Sequence, residues 1–189
     1  MQSPNPKVMA TFTDLNPGHS PWCQRLESLL SFGVRSGADL VEVFLERTDH
    51  LGVLAEQNTI TSVSPAFGMG AGIRVFRGGQ DGFVSTNDLS DQGLQQALEQ
   101  ALAMLQLDAT SLSADRTFEG LLNLRDYGQS KESWLSQTPD LDTITQRLLE
   151  GTQSLQKFGQ HLEVRRGNFS RDWQEVLVAA SDGTFARDI

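Results

Sequence analysis

The amino-acid sequence predicts an α+β fold: a helix, a four-strand mostly antiparallel sheet and a helix form one lobe. A second helix-plus-hairpin lobe follows, completed by sequence or by a partner beyond residue 189. Three observations carry this expectation. Apolar residues recur at helical spacing in two tracts, around 22–33 and 94–105. Between these tracts the period switches to the two-residue alternation of strands. After residue 138 a helical tract again gives way to alternation, so the helix-to-strand pattern restarts.

Residues 1–19 are rich in Pro, Asn, Ser and Thr without apolar periodicity and read as a disordered leader. Ser20 and Pro21 supply an N-cap and a first-turn proline. Trp22, Leu26, Leu29, Leu30 and Gly33 then share one helical face, and Gly37 supplies the stop. Strands are expected near residues 38–48, 51–63, 70–77 and 82–86, for Val41, Val43 and Leu45 alternate with more polar neighbours, as do Ile73 and Val75. The last two are joined at Arg77–Gly82, where Gly78, Gly79 and Gly82 suit a turn with positive φ. Ser90 caps the next helix, with Leu89 and Leu94 placed as a hydrophobic staple. Leu94, Ala97, Leu98, Ala101, Leu102 and Leu105 form its apolar stripe, which is expected to cover one sheet face. This lobe takes in residues 20–106.

Residues 107–137 lose periodicity and collect Ser, Thr, Asp and Gly, as a connection between lobes does. Thr138-Pro139-Asp140 restarts a helix in which Leu141, Ile144, Leu148 and Leu155 face one way, until Gly159. Leu162–Arg171 and Trp173–Ala180 read as two strands ending at the turn Ser181-Asp182-Gly183. The second lobe, 138–189, is thus the start of an α+β unit. A lone hairpin leaves an open edge and an uncovered face, so a continuing polypeptide or a partner's strands are expected to complete it.

Composition narrows the function. The 15 Lys and Arg are outnumbered by 24 Asp and Glu, and a net charge of −9 repels the phosphates that dominate nucleic-acid affinity. No direct nucleic-acid binding is expected. The acidic residues are scattered, as on a solvated surface. Cys23 is the single cysteine, which excludes an internal disulfide and points to the reducing cytoplasm. Neither a signal-peptide core nor a run of about 18 apolar residues is present, so a soluble protein without a membrane partner is expected.

The residues that carry chemistry elsewhere are sparse. His19, His50 and His161 are far apart in sequence and form no His-x-x-x-His or Cys-x-x-Cys arrangement. His19 falls in the leader and His50 in an expected hairpin turn, where surface roles are ordinary. His161 with Glu163 on one strand face is a pairing that chance supplies readily. Cys23 lies mid-helix beside the apolar face, away from any helix start that would activate a thiol. No Gly-x-Ser-x-Gly elbow accompanies a serine. Acid pairs such as Asp39 with Glu42, or Asp140 with Asp142, are what an acidic chain contains anyway. Gly68-Met69-Gly70-Ala71-Gly72 runs into the strand Ile73–Phe76 rather than opening a helix, which rules out a dinucleotide loop and leaves close backbone approach. No catalytic, cofactor-binding or metal-binding residue is assigned.

Taken in order, Ala38–Phe44, Glu56–Ile60, Gly70–Val75 and Gly82–Leu89, followed by the Ala/Leu-striped helix, resemble the amino-terminal domain of the TldD/PmbA family. Val176–Ala180 followed by Ser181-Asp182-Gly183 and Arg187-Asp188 resembles the same family's strand and turn leading to its carboxy-terminal domain. The match is good over about 38–105 and 173–189 and weaker between, and it consists of glycine, apolar and turn positions.

The resemblance implies a cytoplasmic zinc metallopeptidase, a hydrolase of peptides, with an older association with modulation of DNA gyrase. In that family a His-Glu-x-x-x-His or His-Glu-x-x-x-Asp helix supplies metal ligands and the general base. This chain has no His-Glu pair, so the resemblance implies a non-catalytic portion that binds no zinc itself, helps form the peptide cavity, and pairs in a homodimer or with a paralogous subunit. A stand-alone binding or regulatory module with this fold is the alternative. An unrelated α+β enzyme using His161 is a third reading, which requires metal in the purified chain.

Overall fold

A computed structural model describes residues 21–110, 112–127, 138–158 and 164–188. The fold is α+β, as expected. Its elements are α1 (Pro21–Arg35), β1 (Leu40–Glu56), β2 (Thr59–Arg77), β3 (Gln80–Thr86), α2 (Asp91–Met104), β4 (Arg125–Asp126), α3 (Leu141–Ser154, extended by a 3-10 turn at Leu155–Phe158), β5 (Arg166–Ala180) and β6 (Phe185–Asp188). The strands form one six-stranded sheet in the order β3-β2-β1-β5-β6-β4. β2–β3 and β5–β6 pair antiparallel, and the short β4 pairs parallel with β6. The expected leader, the Ser20 cap, Gly159 and the first residues of the strand expected from Leu162 lie outside the described residues.

The three strands β1, β2 and β3 occupy the stretch where four were expected. β1 runs unbroken through Thr48-Asp49-His50, and β2 runs unbroken through Ser64–Met69, so no turn lies at either place. The reversal sits at Gln57-Asn58, whose φ values of 51° and 63° are those of a two-residue hairpin turn. Pro65 is tolerated because β3 pairs β2 only from Ala71 to Arg77, leaving residues 59–70 at a sheet edge. Likewise the two strands expected at 162–171 and 173–180 are the single strand β5. The polar residues that mimic turns in both strands meet each other: His50 Nδ1 lies 2.5 Å from Asp172 Oδ1 across the β1–β5 pair.

The second sheet expected from the sequence does not exist as a separate body. Ser181 N donates to Val41 O and Gln57 N donates to Arg165 O, so β5 lies against β1 in a constant antiparallel register. The far side of β6 is paired by β4, which arises within the tract read as a connection. Two backbone bonds flank that contact, from Leu122 N to Gly183 O and from Tyr127 N to Arg187 O. Only tertiary pairing could place a two-residue strand there.

The described chain divides into two compact units. The first comprises residues up to Glu46, Gly70–Tyr127 and Val176–Asp188; the second comprises Arg47–Met69 and the described residues from Thr138 to Glu175. In the first, the apolar faces of α1 and α2 are buried with Val41, Val43, Leu45 and Ile73. Gly33 is required by close packing, since a Cβ would stand 2.7 Å from Val41 Cγ2. Gly82 is required likewise, for a Cβ would lie 2.5 Å from the Ala101 carbonyl oxygen of α2. Of the three turn glycines, only Gly78 and Gly79 have positive φ. Ser90 caps α2 as expected, accepting from Gly93 N at 3.0 Å, and Leu89 and Leu94 are both buried. Arg25 of α1 donates to the Asp91 carboxylate and the Leu89 carbonyl, and its guanidinium covers the Trp22 ring at 4.3 Å.

In the second unit, Val53 and Ala55 of β1 are buried, as is Ile144 of α3. Asp140 caps α3, accepting from Thr143 N at 2.7 Å. Gly167 of β5 would bring a Cβ to 3.2 Å from Leu148 of α3, so the helix lies close upon that strand. Among the described residues no helix is long and apolar enough to cross a membrane.

Candidate functional site

The second unit presents a strand edge with an arginine stacked beside it. Over residues 59–70, β2 has β1 on one side and no described strand on the other. Its side chains include the exposed Val63 and Phe67, at 44% and 52%. A free edge offers alternating N–H and C=O groups that pair with any extended peptide, whatever its side chains.

Arg47 of β1 stands next to this edge and is only 7% exposed. Its guanidinium lies 5.5 Å from the Phe67 ring centre and 5.2 Å from that of Trp173 on β5. Two aromatic faces thus replace part of the water a cation loses on burial. The β1–β5 register sets Arg47 directly opposite Glu175, which is 2% exposed. Arg47 Nε is buried without a hydrogen-bond partner among the described residues. Such an N–H is costly to leave unmet, and an acceptor brought to it gains accordingly.

Among the described residues no group of three or more His, Cys, Asp and Glu side chains converges. His50 and Asp172 make a pair, one donor short of the smallest catalytic zinc site, so the described donor set does not fit zinc.

The residues singled out in the sequence are scattered by the fold. His50 lies within β1, not in a turn. His19, His161 and Glu163 lie outside the described residues. Cys23 is buried in α1. Asp39 binds the Gly78 amide at 2.8 Å, while Glu42 lies on β1; Asp140 and Asp142 belong to the start of α3. The Gly68–Gly72 tract is strand, and it does mark close approach: a Cβ on Gly68 would meet Thr48 Oγ1 at 2.6 Å, and one on Gly72 would meet the Phe83 ring at 2.9 Å. The sequence reading missed Arg47, Phe67 and Trp173 as a group. One signal was available, because Arg47 continues the buried register of Val41, Val43 and Leu45.

Comparison with known proteins adds a family-model match over part of the chain and a shared fold. Residues 41–105 match the model described as PmbA/TldA metallopeptidase domain 1. Among solved structures, TldE from Thermococcus kodakarensis superposes with a TM-score of 0.63 at 21% identity, covering 87% of this chain and 37% of that one. A candidate modulator of a DNA gyrase from Thermotoga maritima gives a TM-score of 0.63 at 12% identity, covering 87% and 36%. A candidate modulator of DNA gyrase from Bacteroides thetaiotaomicron gives 0.59 at 14% identity, covering 89% and 38%. No curated protein matches the chain. The chain therefore spans little more than a third of the length of the solved structures it resembles.

Proposed function

We infer that this chain belongs to the TldD/PmbA family, residues 41–105 matching its first domain, and that it is the non-catalytic amino-terminal portion of a peptide-processing zinc metallopeptidase. The observation that carries the reading is the match to a metallopeptidase first domain in a chain without a His-Glu pair. In this reading the hydrolytic step, with its zinc, belongs to other parts of the protein, and this portion contributes binding surface.

The free edge of β2 supplies that surface. A peptide adding to residues 59–70 gains main-chain hydrogen bonds, and Phe67 with Val63 covers its apolar side chains. The same edge is open to a second subunit, identical or paralogous, so cavity and dimer draw on one strand. The cytoplasm, where Cys23 stays a thiol, is the compartment in which we place it.

The test is to add zinc and an unstructured peptide to the purified 189-residue chain and follow cleavage by mass spectrometry. No products are expected from this chain, whereas a polypeptide carrying the His-Glu-x-x-x motif cleaves. Zinc-dependent turnover by these 189 residues alone contradicts the assignment.

A further inference from the structure

A second feature lies wholly in the first unit. Arg35, Arg77 and Arg116 line a pocket of about 320 Å³ together with Gly37, Gln106 and Ser113. The three arginines come from three places: the last residue of α1, the last residue of β2, and the tract after α2. Gly37 organises them. It ends α1 with φ of 103°, while Ala38 N donates to Gly33 O and Gly37 N to Val34 O, so carbonyls of the last helical turn are already satisfied. Arg77 Nη1 lies 3.0 Å from where a Gly37 Cβ would stand. Arg116 Nη1 donates to the carbonyls of Gly37 at 3.2 Å and Ala38 at 2.8 Å. Ser113 N donates to Arg35 O at 2.8 Å and holds the tract against the helix end.

Two acidic groups lie nearby. Asp108 lines the pocket, but its carboxylate accepts from Thr110 N and Oγ1 within its own turn. Asp39 accepts from Gly78 N and, at 3.4 Å, from Arg116. The Arg35 and Arg77 guanidiniums make no hydrogen bond or ion pair with another described residue, though Arg77 feels the Asp39 charge. The negative end of the α1 dipole, about half a unit charge, opposes an anion here, and three guanidiniums outweigh it together with the two carboxylates. A positive pocket in a chain of net charge −9 is not what solubility alone requires.

We propose that this pocket binds a phosphate group, held between the guanidiniums of Arg35, Arg77 and Arg116. Forks arriving from three elements match a tetrahedral oxyanion, which accepts from several directions, better than a planar carboxylate, which a single fork saturates. Free inorganic phosphate and a phosphomonoester present the same chemistry.

The experiment is a titration of the full chain, at low salt, followed through the arginine Nε–Hε resonances. Inorganic phosphate, methyl phosphate and acetate are the three probes. Saturable shifts of Arg35 and Arg77 are expected with inorganic phosphate, with acetate binding at least about tenfold more weakly. Methyl phosphate binding as well as inorganic phosphate identifies a phosphate carried on a larger molecule, and its exclusion identifies the free ion; either outcome upholds the site. The double variant R35Q/R77Q is expected to weaken phosphate binding by about tenfold or more while keeping the amide spectrum. Absence of saturable shifts at these arginines in the wild-type chain overturns the proposal, as does acetate binding as tightly as phosphate.

Discussion

At the scale of single residues, the exposed aspartates hold local turns together. Asp39, Asp88, Asp108, Asp140 and Asp182 each accept hydrogen bonds, and each carboxyl is held below its ordinary value of 3.8. The main cause is a backbone N–H for four of them, from Gly78, Ser90, Thr143 and Thr184, and the Thr110 hydroxyl for Asp108. A depressed folded-state pKa means the ionised form is favoured by folding. The stabilisation is therefore complete above about pH 4 and is lost as pH falls through the lowered folded values. Urea-unfolding stability should accordingly decline on acidification below about pH 4. Asp140→Asn keeps a cap acceptor for Thr143 N but cannot titrate, so its acid-induced decline should be shallower than wild type. An identical slope in the two proteins would exclude Asp140 from the effect.

At the scale of elements, the Gln57-Asn58 reversal is a costly local conformation. Both residues have positive φ, which an L-residue other than glycine adopts at a cost of roughly 1 kcal/mol. Asn58 Oδ1 is also buried without a partner, so the side chain that eases positive φ is itself poorly placed. Asn58→Gly should therefore stabilise the protein by about 0.5–1 kcal/mol, read as a higher denaturation midpoint. A lower midpoint would mean that the Asn58 side chain contributes packing that outweighs its strain. The turn escaped the sequence reading for the same reason: no glycine stands at 57 or 58, whereas Gly78-Gly79 announced the next hairpin plainly. The strands were misread as four because Asp49-His50 looks like a turn until Asp172, 122 residues away, is placed opposite it.

For the whole molecule, β1 is the strand on which the rest depends. It is flanked by β2, its neighbour in sequence, and by β5, which returns from more than a hundred residues later. Such non-local pairing is closed late and at an entropic cost, and it is recovered only when the apolar faces are buried together. A chain ending after Tyr127 would leave the whole β5-facing edge of β1 unpaired and remove Leu177 and Phe185 from the core. Such a truncated chain should lose its cooperative urea transition or aggregate through the exposed edge. A sharp, wild-type-like transition would show that the first 127 residues fold independently of β5.

The sequence by itself determined the α+β class, the three helices with the Ser90 cap, the Gly78-Gly79 hairpin and the family resemblance. These rest on interactions within a few residues, where spacing and turn chemistry are written directly in the order of side chains. Only the tertiary structure decided that β1, β2 and β5 are long and continuous, that β5 pairs with β1, and that β4 exists. It also decided that Arg47, Phe67 and Trp173 stack while Arg35, Arg77 and Arg116 gather around Gly37. In each of these cases residues far apart in the chain are brought together, and the energy of that contact has no signature in the neighbouring sequence.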